Sequence, residues 1–548
     1  MRINKALRRI VSAGAAAAVA LSMTVSAFAR EPYRAYIYDT WDDSVPSQNA
    51  YRVDKTITGH DMGLERLSDP SDPLFVDELA PAAIAGAKDF YLDTANEEFW
   101  LADSDNDRVL RLDIDLNVTG CYTGVFGSEK NVIGDDGESK FDNPTGLFVR
   151  NSIYGENELY IYIADYDNAR IVKAMPDPSD PYRKLTLVHE YTKPETDLYQ
   201  VQTFNPSKVV VDFAENVYAV VSSVNQGAVQ FNREGAFQGF YGANRVEVTA
   251  AVIAQKLWRK IASNEQISGM KRSVPVEYAN FDMDDDGFIY TVTEAANAST
   301  DAVKKLNPAG YNIWDNNAGN EYHFGDVAGE YDAVSNTSHN TRLTDICVSD
   351  YGIMNVLDFE TGRVFQYDRD ANLLCIFGTK RQSSNDQRGS FSNPNAVEAY
   401  AHNIYVLDGA KCDITVYSET TFGQLMHQAV ELYDQGRYSE AKPIWESVLA
   451  RDGGYPLAYI GLGKAALNEG EYSKALDYFK TAYDQKDYDK AFKYAREEYI
   501  RNNFTGIVIV ILVVVVFLVV LAQLHKRNIY LIKGRIKFKK RKGGLEDV

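Results

Sequence analysis

Histidine and cysteine are scarce in this sequence, with seven histidines and four cysteines in 548 residues. No His-x-x-x-His pair, nucleophile elbow or phosphate-binding P-loop occurs. A histidine-based active site therefore has little support, and no catalytic residue is assigned. Four widely scattered cysteines are too few for a disulfide-built scaffold in a chain of this size. Sequence cannot choose among their three pairings, and buried free thiols are the favoured interpretation of Cys121, Cys347, Cys375 and Cys412.

Positive charge is also scarce over most of the chain. The formal net charge of −20 combines +4 on residues 1–29, +7 on residues 525–548 and −31 on the residues between them. A surface this acidic repels phosphate backbones, so nucleic acid is not an expected partner. It attracts cations and cationic ligands instead.

The N-terminus has the pattern of a secretory signal peptide. Arg2, Lys5, Arg8 and Arg9 precede an alanine-rich apolar stretch, and the small-residue pattern at residues 27–29 suits cleavage before Arg30. We therefore predict a signal peptide over residues 1–29. An uncleaved membrane anchor is the alternative, but the apolar stretch is short for a span.

Near the other end, residues 505–524 carry no charge. A bilayer core of about 30 Å is crossed by about 20 helical residues, so we predict a transmembrane helix over residues 504–524. Residues 525–548 form a basic tail, and positive charge beside a span stays in the cytoplasm. The sequence thus predicts a single-pass plasma-membrane protein of a bacterium, with its ectodomain outside and its C-terminus in the cytoplasm.

Residues 30–421 have the pattern of a six-bladed all-β propeller. Short runs with period-two alternation are separated by turn residues, and six times a run is followed by a second run and a polar turn. Units too small to bury their own faces stack radially. Four of the second runs end in an aspartate at a turn: Asp103, Asp165, Asp358 and Asp408. In the first three of these units an arginine that can pair with the aspartate follows five residues later, at Arg108, Arg170 and Arg363.

The turns DSDNDR and DYDNAR resemble those of NHL-repeat propellers, and residues 143–147 with 161–171 are the best match. The resemblance implies a ring of blades around a central channel. Residues 33–38 and 51–57 look like outer strands with no inner strands before them. We expect both to complete the last blade and to close the ring without an exposed sheet edge.

Residues 422–503 change to a helical period. The pattern Gly-x-Tyr-x-x-Ala begins at Gly436 and again at Gly470, an offset of 34 residues, and Tyr488 with Ala491 opens a third helix. This period is that of tetratricopeptide (TPR) repeats. Two hairpins and a capping helix form a small module, which is either a stalk or a docking site.

Two sets of polar residues are candidate sites. The starts of the six inner runs align at one register, which places Asp89, Lys208, Asn280 and Asp345 near one mouth of the channel. They could bind a polar ligand or a metal, but a mutually satisfied polar plug is favoured. The second set, Asp282, Asp284 and Asp286 before Gly287, has the spacing of a calcium loop, although a hairpin turn explains the same residues and no glutamate stands at the twelfth position.

The favoured function is a non-catalytic, membrane-anchored extracellular binding or scaffold protein. Its expected partner is a protein of the cell envelope, such as a transporter complex, with the helical hairpins as stalk or docking module. The alternative is a metal-dependent hydrolase or lactonase, because gluconolactonase-like propellers hold a divalent metal at the channel mouth. The four aligned channel residues include no glutamate, which disfavours that alternative. No cofactor is expected with certainty, and calcium is the candidate.

Overall fold

The computed structural model describes residues 31–39, 41, 43–132, 137–154, 158–242, 277–294, 302–314, 324–326, 330–332, 337–339, 341–380, 387–526, 529–532 and 535–538. The predicted signal peptide and most of the basic tail lie outside the described residues. The chain divides into two compact units. The first comprises Met1–Asp434 with Ala450–Gly454, and the second comprises Gln435–Leu449 with Tyr455–Val548.

Six mainly antiparallel sheets in the described part of the first unit follow one another in chain order as blades, which confirms the six-bladed propeller. Strands β1 (Tyr36–Tyr38), β2 (Ser44–Pro46) and β3 (Tyr51–Thr58) precede the first complete blade. Blade 1 comprises β4 (Asp89–Asp93), β5 (Glu98–Asp103), β6 (Arg108–Asp113) and β7 (Val118–Tyr122). Blade 2 comprises β10 (Pro144–Asn151), β11 (Leu159–Asp165), β12 (Arg170–Pro176) and β13 (Leu185–Tyr191), and the short strands β8 (Gly124–Phe126) and β9 (Glu138–Lys140) belong to the same sheet. Blade 3 comprises β14 (Pro206–Val211), β15 (Val217–Val221), β16 (Ala228–Phe231) and β17 (Phe237–Tyr241), and blade 4 comprises β18 (Tyr278–Met283), β19 (Ile289–Thr293) and β20 (Val303–Leu306).

The short pair β21 (Glu330–Asp332) and β22 (Thr337–His339) follows. Blade 5 comprises β23 (Leu343–Val348), β24 (Met354–Asp358), β25 (Arg363–Tyr367) and β26 (Leu373–Phe377). The pair β27 (Thr379–Lys380) and β28 (Ser390–Phe391) leads into blade 6, which comprises β29 (Pro394–Tyr400), β30 (Asn403–Asp408), β31 (Asp413–Glu419) and the N-terminal β3. Short 3-10 helices span Leu64–Ser68, Ser104–Asn106 and Asp350–Gly352.

The first strand of each blade lies innermost. Consecutive inner strands contact one another, and the last contacts the first, so β4, β10, β14, β18, β23 and β29 form a closed ring. In five of them a β-bulge interrupts the pairing at the same place, between the first residue of the strand and the third, which is the aligned residue. The predicted common register of the six inner runs is therefore confirmed.

The N-terminal closure is confirmed for one of its two predicted strands. Strand β3 pairs with β31 and completes blade 6. Residues 33–38 were predicted to join the same blade, and this prediction is wrong. Strand β1 pairs instead with β2, and the hydroxyl groups of Tyr36 and Tyr38 both donate to the Asp326 carboxylate beside blade 5. These buried polar contacts determine where the hairpin packs.

Two of the three predicted aspartate–arginine pairs form. Arg108 Nε lies 2.6 Å from Asp103 Oδ2, and Arg170 Nε lies 2.7 Å from Asp165 Oδ2, with all four side chains buried. The third pairing is wrong because Arg363 binds the Asp326 carboxylate.

Asp358 is satisfied by other groups, including the Thr361 hydroxyl at 2.6 Å and the Arg342 N–H at 2.8 Å. All four cysteines are free thiols, and all except the partly exposed Cys412 are buried, in agreement with prediction.

Helix α1 (Thr421–Asp434) ends the first unit and is fastened to the propeller. The Thr420 hydroxyl accepts from the N–H of Gly423 at 3.2 Å, and His427 Nε2 lies 2.6 Å from the side-chain oxygen of Gln366. The second unit contains α2 (Tyr438–Leu449), α3 (Pro456–Asn468), α4 (Tyr472–Thr481) and α5 (Gln485–Lys526), followed by the strand pair β32 (Ile529–Ile532) and β33 (Arg535–Phe538).

Helix packing in the second unit follows the small residues of the repeat. A Cβ atom added at Gly461 would lie 2.2 Å from the indole of Trp445. A Cβ atom added at Gly463 would lie 2.5 Å from the ring of Phe479. The two glycines of α3 thus leave space for one aromatic side chain from the helix before it and one from the helix after it.

Deleting residues 30–58 should cause aggregation. Without β3, the hydrogen-bonding edge of β31 is exposed along its length, and unpaired edges recruit other strands. Size-exclusion chromatography of the truncated and full chains in the same detergent tests this. A truncated chain that elutes as a monomer with unchanged thermal stability would contradict the closure of the ring by β3.

Candidate functional site in the propeller channel

The aligned residues of the six inner strands occupy one register of the ring. Each aligned residue pairs with the penultimate residue of the second strand of its blade. The six aligned residues are Asp89, Gly146, Lys208, Asn280, Asp345 and Ala396. Four of the six are polar, and all four are buried. The structure sorts them into two pairs.

Lys208 and Asp89 form the first pair. The Lys208 ammonium contacts a carboxylate oxygen of Asp89 and donates to the carbonyl of Lys88 at 3.1 Å. The two residues belong to blades 3 and 1, and blade 2 between them carries Gly146 at the aligned position. A Cβ at that glycine would lie 2.7 Å from the Lys208 Cα, so the absent side chain is what allows the close approach.

Asn280 and Asp345 form the second pair. The amide of Asn280 donates to one carboxylate oxygen of Asp345, and its own carbonyl oxygen accepts the N–H of Phe281 at 2.8 Å. Burial raises the pKa of Asp345 to about 7, while Lys208 acts in the opposite direction. Burial likewise raises the pKa of Asp89, again opposed by Lys208.

Two more carboxylates lie in the channel lining, two residues beyond the aligned positions. They are Asp282 in blade 4 and Glu398 in blade 6. Dense protein surroundings raise the pKa of Asp282 to about 6 and raise that of Glu398. Glu398 was missed because only the aligned positions were compared. The period-two alternation of a strand was the available signal, since residues two apart share a face.

These carboxylates accept hydrogen bonds from the next blade. The N–H groups of Leu147, Val348 and Val397 donate to Asp89, Asp282 and Asp345, at 2.6, 2.7 and 2.6 Å. Each bond joins the inner strand of one blade to the inner strand of its neighbour. Because both oxygens of Asp89 and of Asp345 have protein partners, the geometry favours the polar plug over a ligand site at this mouth.

The predicted calcium residues have separate environments. Asp282 lies in the channel, Asp284 accepts the Phe288 N–H at 2.8 Å and the Tyr290 hydroxyl at 3.0 Å, and the exposed Asp286 lies 3.6 Å from Arg369. Among the described residues, no group of three His, Cys, Asp or Glu side chains is arranged to hold a metal ion. Calcium binding stays a prediction, as does the hydrolase alternative.

Comparison with known proteins identifies one part of the chain. Residues 427–501 match the tetratricopeptide repeat family model, which confirms the predicted repeats. No significant match is found among curated protein sequences.

Solved structures give weak likenesses. A streptogramin B lyase is 12% identical over 63% of this chain and 82% of its own, with a TM-score of 0.34. An inactive virginiamycin B lyase from Staphylococcus aureus with quinupristin is 10% identical over 61% and 80%, with a TM-score of 0.35. Raptor from Chaetomium thermophilum is 9% identical over 61% and 28%, with a TM-score of 0.34. Likenesses of this size carry no argument about function, and the NHL label stays a prediction.

Proposed function

We propose that this chain is a non-catalytic scaffold that is anchored in the plasma membrane of a bacterium and binds protein partners outside the cell. One observation carries the proposal: the tetratricopeptide match ends within the same helix that contains the apolar stretch. Helix α5 spans Gln485–Lys526, and the match extends to residue 501. A protein-interaction module of this kind joined directly to a membrane helix fits a scaffold at a membrane surface.

The apolar part of α5 supports the anchor. This helix is long and apolar enough to cross a membrane, and none of its most apolar window is buried in the protein. A core helix of a soluble protein with this composition would be covered. The basic residues beyond residue 525 support a cytoplasmic C-terminus, and the signal-like residues 1–29 support export of the propeller.

The channel mouth gives no support to a catalytic role. Its aligned polar side chains are occupied by one another and by backbone groups, so none is available to a substrate without breaking a buried pair. The partner is an envelope protein, of which a transporter complex is one case.

Protease protection tests the topology. Protease added to intact, wall-stripped cells should remove the propeller and leave a tag after Val548 protected. Permeabilised cells provide the control in which the tag is also digested. Digestion of the tag from outside would contradict the proposed orientation.

Site-specific photocrosslinking tests the scaffold role of the helical module. A photoreactive residue at the partly exposed Tyr459 of α3 should give a discrete crosslinked species in intact cells, whereas the same group at the exposed Lys474 of α4 provides the matched comparison. Crosslinks to a protein at Tyr459 and not at Lys474 are expected for a docking module. No crosslink at either position in a correctly inserted chain would reduce the module to a stalk.

A further inference from the structure

Exposed aromatic side chains are concentrated at one end of the propeller. Six aromatic side chains in the described part of the propeller expose 41% or more of their surface. Four of them lie in loops that join the first strand of a blade to the second, or the third to the fourth: Tyr154, Tyr182, Phe213 and Tyr351. In an antiparallel blade these two kinds of loop are at the same end. The fifth, Tyr311, follows β20, the third strand of blade 4. The sixth, Trp41, lies in the N-terminal hairpin.

The loops after the inner strands repeat this feature from blade to blade. In blades 2 to 6 an aromatic residue stands in the loop or directly beside it: Tyr154, Phe213, Phe288, Tyr351 and Tyr400. The rings of Tyr154, Phe213 and Tyr351 are exposed, whereas those of Phe288 and Tyr400 are partly buried. Large exposed rings that recur at one end of a domain are typical of an interaction surface.

Neighbouring blades contact one another at this end, so the rings belong to one surface. Contacts between blades at this end include the Arg150 guanidinium of β10 4.4 Å above the Phe213 ring and the side chain of Asn96 3.3 Å from that of Asn151, the last residue of β10. Arg369 also lies 3.6 Å from Asp286, and the Tyr400 hydroxyl at the end of β29 lies 3.0 Å from Glu97. We call this surface, formed by residues 94–97, 152–154, 158, 212–216, 284–288, 349–353 and 400–402, the loop rim.

The loop rim and the adjacent outer loops at the same end are acidic. Their exposed acids are Glu97, Asp115, Glu158, Glu234, Asp285, Asp286 and Asp370, and their exposed bases are Arg183, Lys184, Arg233 and Arg369. Three of those bases already pair with neighbouring carboxylates of the protein. The remaining field is negative and is complementary to lysine and arginine.

We propose that the loop rim docks a Lys- or Arg-bearing segment of a partner protein, an inference that rests on the proposed scaffold function. Tyrosine, tryptophan and arginine dominate the energetics of protein interfaces because they bury large areas at small entropic cost. A cationic side chain that approaches an exposed tyrosine beside a carboxylate gains both ring and charge attraction. Such contacts already occur beside the rim, where the Arg233 guanidinium of an outer loop lies 4.1 Å above the Tyr154 ring and the buried Lys305 of β20 lies 4.8 Å from the Phe288 ring.

A soluble peptide probe tests the inference on the full chain in phosphatidylcholine nanodiscs. The probe is a fluorescent twelve-residue peptide with four Gly-Ser-Arg repeats, and its Gly-Ser-Glu counterpart is the charge control. We expect the arginine peptide to bind and the glutamate peptide not to bind. Affinity should fall at least tenfold in Tyr351→Asn with Phe213→Ser, and it should also fall as salt rises.

The variants are chosen to leave the fold intact. Tyr351 has a φ of 63°, a left-handed conformation that asparagine tolerates well. Leu198→Ser is the matched control, because Leu198 is 66% exposed in a loop between blades at the other end. Equal binding by the rim variants and wild type, equal binding of both peptides, or no binding of either would overturn the proposal.

Self-association that is concentration-dependent in wild type and lost in the rim variants would assign the surface to a second copy and also overturn it. The failures are separable. If crosslinks at Tyr459 persist while the rim variants change nothing, the scaffold function stands and the rim inference falls.

Discussion

Lys208→Met should lower the free energy of unfolding of the propeller by about 3–5 kcal/mol, the usual cost of removing one partner from a buried ion pair. Lys208 and Asp89 are 8% and 6% exposed, so water cannot replace the lost ammonium. The substitution also removes the electrostatic attraction of the Lys208 ammonium for the Asp345 carboxylate. Thermal denaturation of the full chain in detergent, followed by near-ultraviolet circular dichroism, measures the effect.

Lys130→Met is the matched control. The Lys130 side chain is 43% exposed and its ammonium lies 3.1 Å from Glu190, so the loss should be below about 1 kcal/mol. The effect of Lys208→Met should also shrink at low pH, because the pKa of Asp89 is raised and a protonated carboxyl needs no counter-ion.

A different outcome would favour a metal site. If millimolar calcium raises the melting temperature of wild type, and Asp89→Asn and Asp345→Asn abolish the rise while Asp284→Asn does not, the channel mouth binds the ion and the plug interpretation is wrong. Lys208→Met would then leave stability intact or strengthen calcium binding.

The propeller should become more stable as pH falls from 8 to about 5.5. The pKa of Asp345 is raised from 3.8 to about 7, and those of Asp282, Asp358 and Asp368 to about 6, in each case first by burial. Between pH 4 and these values the folded chain binds protons that the unfolded chain has released. The free energy of unfolding therefore decreases as pH rises through this window.

Asp345 should account for a large share of this pH dependence, beside Glu398 and Asp434, whose pKa values burial also raises. A shift of about three pKa units corresponds to about 4 kcal/mol at pH 8. Asp345→Asn should flatten the stability profile between pH 6 and 8, because an amide has no charge to develop. The side-chain oxygen of the introduced asparagine can still accept the hydrogen bond from the Val397 N–H. The exposed Asp285 provides the control, and Asp285→Asn should leave the profile unchanged; equal slopes in wild type and Asp345→Asn would contradict the assignment.

Local pattern was enough to predict the ring of blades. Period-two alternation placed Asp89, Lys208, Asn280 and Asp345 at one register, and the paired strands confirm it. Alternation is a property of neighbouring residues in one strand, so it is readable without knowing the rest of the molecule. The 34-residue period of the helical repeats was readable for the same reason.

Contacts between blades were not predictable in this way. That Lys208 would reach Asp89 depends on the space left by Gly146 in a third blade, which no single repeat encodes. Arg363 has the spacing of Arg108 and Arg170, yet it binds Asp326, a residue supplied by a loop outside the repeat pattern. The partner of each such side chain depends on which residues the closed ring brings near it.

Helix α5 has a consequence for how the interaction module is oriented. It runs for 42 residues without interruption, about 63 Å, from the repeat module through the apolar stretch. Each residue of an α-helix turns the chain by about 100°, so the span and the module share one helical phase. In the proposed topology the azimuth of the module about the membrane normal is therefore determined by the span. The module presents a constant face to its lateral neighbours in the bilayer, and a one-residue insertion near Phe504 would turn that face by more than a quarter of a revolution.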